Sequence, residues 1–266
     1  MSSRKNWPVA VSVGFNVVLS TEELEKLRSA GISHVELASG DMRPFFENDY
    51  FEKSVEISEF AKSHGVNISS VHLPFAPFSV IDITDPRNDL FAIKVNTMIM
   101  EAAARAGIKI AVLHPSGEPY TEEERAERLE MACTVISALS ENAKKLGMQL
   151  ALENLPRTCL CRTHDEMLYF LERIPDLRVC FDMNHNLSES NIDYIKAVGN
   201  KIVTLHVSDY DFVNERHWLP GNGINDWGKI IETLESVGYT GRFLYEVKQS
   251  GVSYKDIAEN YRVLLS

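Results

Sequence analysis

The chain has 266 residues, 44% of them hydrophobic, and a net charge of -11 from 38 acidic against 27 basic side chains. That length and apolar fraction suit one large α/β domain or two small ones with a substantial core, while the acidic balance gives no long-range attraction to phosphate backbones and argues, weakly, against a nucleic-acid partner. No run reaches the apolar length that spans a bilayer, and the opening segment through Trp7 lacks the apolar block of a signal peptide, so a soluble cytoplasmic protein with no membrane partner is expected.

The first β-type run covers residues 9–13. It is followed by Ser20-Thr21-Glu22-Glu23, where hydroxyl and carboxylate can satisfy free amides at a helix start, and that helix ends near Gly31. A strand over 34–37 precedes a helix over 51–64 closed by Gly65, and a strand over 67–72 precedes a long helix over 87–106 stopped by Gly107. A strand over 109–114 leads to a helix capped by Thr121 with Glu124 and ended at Gly147. A strand over 149–153 then leads to a helix opened by Thr163 with Glu166. The last stretch reads as a strand over 178–182, a short helix over 192–198, a strand over 202–206, a helix over 227–237, a strand over 243–246 and a final helix from Ser253.

About eight strand-plus-helix pairs in this length is the repeat of a (β/α)8 TIM barrel, and without a linker or low-complexity tract a single domain over 1–266 is expected. An open doubly wound sheet also alternates, but no GxGxxG turn follows the first strand and polar residues end most of the later strands. The four cysteines, Cys133, Cys159, Cys161 and Cys180, match neither a disulfide framework nor a paired CxxC zinc site, and reduced structural thiols are expected.

Strands that carry metal-type ligands at one end only deliver those ligands to a common mouth when the barrel closes. His72, His114, Glu153, Asp182, His185, His206 and Glu246 all stand at or just past such ends. Glu153, Asp182, His206 and Glu246 belong to four successive strands, and three oxygen donors with one imidazole suit a single divalent ion such as Mn2+, Zn2+, Co2+ or Mg2+. Taken alone, each has a plainer reading, the Asp as a helix cap and the His as a satisfied core residue. Glu36 either lines the same mouth or forms a barrel salt bridge. Trp7, Trp218 and Phe75 are candidates for an apolar wall or for ordinary packing. The loop over 205–227, dense in charge, aromatic rings and Gly, has the composition of a segment that covers a substrate.

Together the motifs VHLPF, LHPSG, ALENL, CFDMNH, LHVSD, ERHWLPGNGINDW and LYEV, spread over nearly the whole chain, resemble the xylose-isomerase-like superfamily of barrels. That superfamily includes tagatose- and psicose-type 3-epimerases, inosose-handling enzymes and the apurinic/apyrimidinic endonuclease family. The resemblance implies that Glu153, Asp182, His206 and Glu246 bind one divalent metal and that Glu153 and Glu246 double as acid/base groups on a ketose. It further implies that His185 and Arg216 hold substrate oxygens, and His72, His114 and His217 are read as further substrate-binding residues. A cation chelating a carbonyl and its neighbouring hydroxyl eases removal of a carbon-bound proton and stabilises the resulting enediolate. Return of the proton to the opposite face inverts a centre; return to the adjacent carbon gives an aldose-ketose isomer.

The expected function is therefore that of a divalent-metal-dependent isomerase or epimerase acting on a small carbohydrate, a sugar phosphate or an inosose, although no Gly-rich phosphate loop is present. The endonuclease branch supplies the alternative, a zinc phosphodiesterase acting on abasic DNA, because its three-zinc cluster has counterparts in His72, His114, His185, Glu215 and His217. Two departures count against it: Glu215-Arg216-His217 stands where that branch has Asp-Arg-His, and residues 154–159 replace its Gly-rich segment. Barrels of this kind also pair through helix faces, so a homo-oligomer is compatible with the sequence, which does not say which face would serve.

Overall fold

The computed structural model describes residues 7–13, 19–38, 50–75, 82–87, 89–248 and 250–266. The N-terminal segment read for a signal peptide lies, apart from Trp7, outside the described residues. Eight parallel strands alternate with eight helices in chain order: β1 (Val9–Val13), α1 (Thr21–Ser29), β2 (His34–Ala38), α2 (Tyr50–Ser63), β3 (Asn67–His72), α3 (Asp89–Arg105), β4 (Ile110–Leu113), α4 (Arg125–Lys145), β5 (Gln149–Glu153), α5 (His164–Arg173), β6 (Arg178–Asp182), α6 (Asn191–Val198), β7 (Ile202–His206), α7 (Trp227–Ser236), β8 (Phe243–Tyr245) and α8 (Tyr254–Leu264). The strands hydrogen-bond in the order β7-β6-β5-β4-β3-β2-β1-β8. Beyond the regular ladders the ring closes at Val207, whose N–H donates to Leu244 O at 2.8 Å and whose carbonyl accepts from Glu246 N at 3.1 Å. The expected (β/α)8 barrel is the fold observed.

Strand alternation decides what enters the barrel, since successive side chains point to opposite faces. On β4, β5 and β6 the residues Leu113, Leu150, Leu152, Val179 and Phe181 belong to the large core between sheet and helices, whereas Val112, Ala151 and Cys180 form a separate small cluster. Small inward residues fill the narrow barrel interior without strain. Two residues further along each strand, the same inward parity gives His114, Glu153 and Asp182. On β3, β7 and β8 it runs from Ser70, Thr204 and Leu244 to His72, His206 and Glu246. The polar strand ends thus point inward for the same reason that the small residues beneath them do.

Local signals fix the helix ends. Gly107 (φ +82) and Gly147 (φ +68) adopt the left-handed conformation that terminates α3 and α4, and the next N–H reaches back in each case, Ile108 to Ala103 O and Met148 to Ala143 O, both at 2.9 Å. Ser253 and Asp256 form a reciprocal capping box on α8. The expected Thr121–Glu124 exchange forms, but on a turn preceding α4. The Thr163 hydroxyl makes no capping bond. Glu166 is taken instead by Arg125, with Nη2–Oε2 at 2.7 Å, and Glu189 accepts from His164 N. A carboxylate facing a buried guanidinium gains more from that pair than from a terminal amide. All four cysteines carry free thiols, and among the described residues no helix is long and apolar enough to cross a membrane.

Candidate functional site

Glu153, Asp182, His206 and Glu246 converge from β5, β6, β7 and β8, and one ligand atom from each lies within 4.8 Å of the others. His206 Nδ1 is 2.9 Å from Glu153 Oε1, 3.4 Å from Glu246 Oε2 and 3.7 Å from Asp182 Oδ2. An ion holding ligands at about 2.1 Å places neighbouring donors about 3 Å apart, so these separations suit one shared cation. Asp182 Oδ2 is buried and has no hydrogen-bond partner among the described residues. A desolvated carboxylate oxygen without a donor is costly unless a cation meets it. The residues therefore fit a divalent metal.

The neighbouring backbone holds this set in register. The Asn154 side chain bridges β5 to the end of β6, its Nδ2 donating to Asp182 O at 2.8 Å and its Oδ1 accepting from Asp182 N at 2.7 Å. Asn184 N donates to Asp182 Oδ1 at 2.6 Å, and Asn184 Oδ1 accepts the backbone N–H groups of Arg216 and His217. One asparagine thus ties the ligand on β6 to the loop after β7.

Glu153 divides its two oxygens. Oε1 faces His206, while Oε2 meets His72 Nε2 at 3.0 Å and His114 Nε2 at 3.1 Å. His72, His114 and Glu153 form a second set with metal-ligand spacing, and His185, Glu215 and His217 form a third. In the third set His185 Nε2 lies 3.1 Å from Glu215 Oε2, and its Nδ1 bonds to Asn154 O at 2.9 Å. Phe75 stacks on the His114 ring with centroids 4.0 Å apart, giving the wall an apolar face.

Burial and like charge pull the site's acids apart. Burial pushes Asp182 up to about 7, against the attraction of His185 and with the help of Glu246 and Glu153. Burial also works against ionisation of Glu153 and Glu246, but His206 and His114 around the first, and Lys248 and His206 around the second, hold both below the usual carboxylate range. Burial would lower His185; Asp182 and Glu215 instead raise it to about 9. His114 and His217 are lowered by burial to about 4. The site thus holds Glu153 and Glu246 ionised and keeps the His114 and His217 imidazoles neutral, while the surrounding carboxylates hold protons on His185 and His206 that a bound cation would displace.

The set opens into a cavity of about 760 Å3 whose walls include His72, His114, Glu153, His185, His217 and Glu246. Arg216, read as a substrate clamp, is not among the described lining residues: it is 40% exposed and its guanidinium pairs with Asp211 at 2.7 Å. Among the described residues, Arg157 and Lys248 are the guanidinium and ammonium groups on the wall. Arg157, left-handed at φ +53, spans three loops by pairing with Glu118, Asn214 and Glu215. Lys248 Nζ lies 3.1 Å from Glu246 Oε1. Lys248 was findable from sequence, since it continues the inward parity of Leu244 and Glu246; Arg157 carries no such signal. Trp7 sits before β1 at the other end of the barrel, stacked on Phe243, and of the three candidate aromatic residues Phe75 is the one that lines the cavity. The loop after β7 is organised by Asp209, which accepts from Trp227 Nε1 and from the N–H groups of Tyr210, Gly221 and Asn225.

Comparison with known proteins places this arrangement. An uncharacterized protein of Methanocaldococcus jannaschii is 25% identical over 202 residues, 72% of this chain and 69% of its own length. Fructoselysine 3-epimerase of Escherichia coli O157:H7 is 27% identical over 143 residues, 49% of this chain and 51% of that enzyme. Among solved structures, a D-tagatose 3-epimerase-like protein superposes with a TM-score of 0.79 at 20% identity, covering 97% of this chain and 95% of its own. A D-psicose 3-epimerase superposes with a TM-score of 0.76 at 17% identity, covering 97% and 96%. At these identities the structural likeness establishes the fold. The xylose isomerase-like TIM barrel family model matches residues 24–265, from α1 to the end of α8, and the chain belongs to that family.

Proposed function

We propose that the protein is a divalent-metal-dependent isomerase or epimerase of a small polyhydroxylated carbonyl compound, acting through an enediolate of its substrate. The observation that carries this reading is the convergence of Glu153, Asp182, His206 and Glu246 within 4.8 Å, with an orphaned Asp182 oxygen among them. These four residues would hold the cation. When bound, it would polarise a substrate carbonyl and lower the cost of removing the adjacent carbon-bound proton.

The chain's own groups supply the proton transfers. Glu246 Oε1, held by Lys248, and Glu153 Oε2, flanked by His72 and His114, are the carboxylate oxygens turned away from the ligand set. One would take the proton and the other return it. His185 and His217 line the cavity where substrate hydroxyls would lie, and Phe75 offers carbon an apolar face. The sugar 3-epimerases among the relatives and structural neighbours support this class of chemistry.

A second reading has its own observation. His72/His114/Glu153 and His185/Glu215/His217 flank the four-ligand set, and Glu153 belongs to both it and the first flanking set. Three bound zinc ions there would suit charge developing on a phosphodiester. Elemental analysis of the purified protein, alongside a keto-sugar epimerisation assay and cleavage of an oligonucleotide containing an abasic site, separates the two. About one divalent ion per chain with sugar turnover supports the first reading; three zincs with strand cleavage would replace it by the second.

A further inference from the structure

Glu36 is a fully buried carboxylate that makes two hydrogen bonds inside the barrel. Its Oε1 lies 2.9 Å from His206 Nε2, and its Oε2 accepts from Ser70 Oγ at 2.7 Å. The β2–β3 ladder slips at this point: Val35 pairs with Ile68 but Glu36 with Ser70, leaving Ser69 as the extra residue, its hydroxyl bonded to Val35 O at 2.9 Å. A bulge of this kind re-aims side chains, and here it sets the Ser70 hydroxyl opposite the carboxylate.

An imidazole offers a lone pair at one nitrogen only when its proton sits on the other. His206 turns Nδ1 toward Glu153, Asp182 and Glu246, so ligation of a cation through Nδ1 would leave the ring's proton on Nε2, where Glu36 accepts it. We propose that Glu36, oriented by Ser70, is a positioning residue that fixes the tautomer and ring angle of His206 and raises its basicity as a metal donor. This rests on the metal seat proposed above. A carboxylate behind a ligating histidine is worth about 10- to 100-fold in metal affinity.

The test is a Mn2+ titration of the full chain, wild type against Glu36→Gln, with metal-free melting temperatures measured in parallel and the visible bands of the Co2+-loaded proteins compared. Gln keeps the size of the side chain but removes the charge behind Nε2. We expect Mn2+ binding about 10- to 100-fold weaker and shifted Co2+ bands, with a folded metal-free protein. Ser70→Ala, which frees the carboxylate without removing it, should weaken Mn2+ by a smaller factor, and it carries the test if Glu36→Gln does not fold. Affinity within twofold of wild type in the folded variant overturns the role of Glu36 and leaves the metal seat standing. A wild-type protein that takes up neither ion overturns both.

Discussion

Replacing Asp182 with Asn should stabilise the metal-free protein while crippling the metal-loaded one. The Asp182 carboxyl titrates at about 7 in the folded chain against 3.8 ordinarily, chiefly through burial. Between pH 4 and 7 the folded protein therefore retains a proton that the unfolded chain has released, so stability falls as pH rises through that window and levels off above it. The interval corresponds to about 4 kcal/mol, an upper bound for the relief in Asp182→Asn because His185 loses an acidic neighbour in the same change. For a chain of this size that is at most about 10 °C in melting temperature. Thermal unfolding in EDTA should show the variant above the wild type at pH 8 and the gap closing by pH 4. Mn2+ beyond about a thousandfold excess over the wild-type Kd should reverse the order, since the wild type then gains more than about 4.1 kcal/mol and the variant has lost a ligand. A chelated variant less stable than wild type at pH 8 by 1 kcal/mol or more would show that Asp182 is not held against its neighbours' charge, and the reasoning would fail.

Glu246→Gln should lower turnover at least about a hundredfold with little change in melting temperature, whereas Glu153→Gln should also destabilise by about 2–4 kcal/mol because several imidazoles lose their carboxylate; steady-state kinetics with circular dichroism checks both. Arg157→Ala should raise KM about tenfold or more as the three loops it joins separate, and Arg216→Ala should leave KM within about threefold because its guanidinium serves Asp211. Gly223→Ala should cost about 2 kcal/mol and impair turnover, since a Cβ there overlaps Tyr210 O and the Asp209 carboxylate that organises the loop; denaturant melts and kinetics read this directly.

The barrel and its polar mouth were legible in the sequence because both follow from a period of two. Small inward residues such as Ala151 and Cys180 share their parity with Glu153 and Asp182, so strand ends and ligands declare themselves together. The roles that stayed hidden depend on contacts between distant segments or on loop backbone. Glu36 meets His206 across 170 residues of chain, and nothing near either residue in the sequence announces the other. Arg157 reaches the cavity from a left-handed backbone in a loop, a conformation its residue type does not predict. Arg216 sits one residue from two cavity-lining side chains, Glu215 and His217, yet points to Asp211; without a regular strand or helix, adjacency does not fix direction. The Glu166 half of the cap expected at Thr163 does not form because Arg125, about forty residues earlier, holds that carboxylate.

The central claim is that four strand ends clasp one cation, and anomalous diffraction at the manganese edge from Mn2+-soaked crystals addresses it most directly. The account predicts a peak within about 2.0–2.4 Å of Glu153, Asp182, His206 and Glu246 oxygens and nitrogen together. A fully soaked crystal with no anomalous density among those four side chains, or with manganese bound elsewhere while they remain hydrogen-bonded to one another, would contradict it.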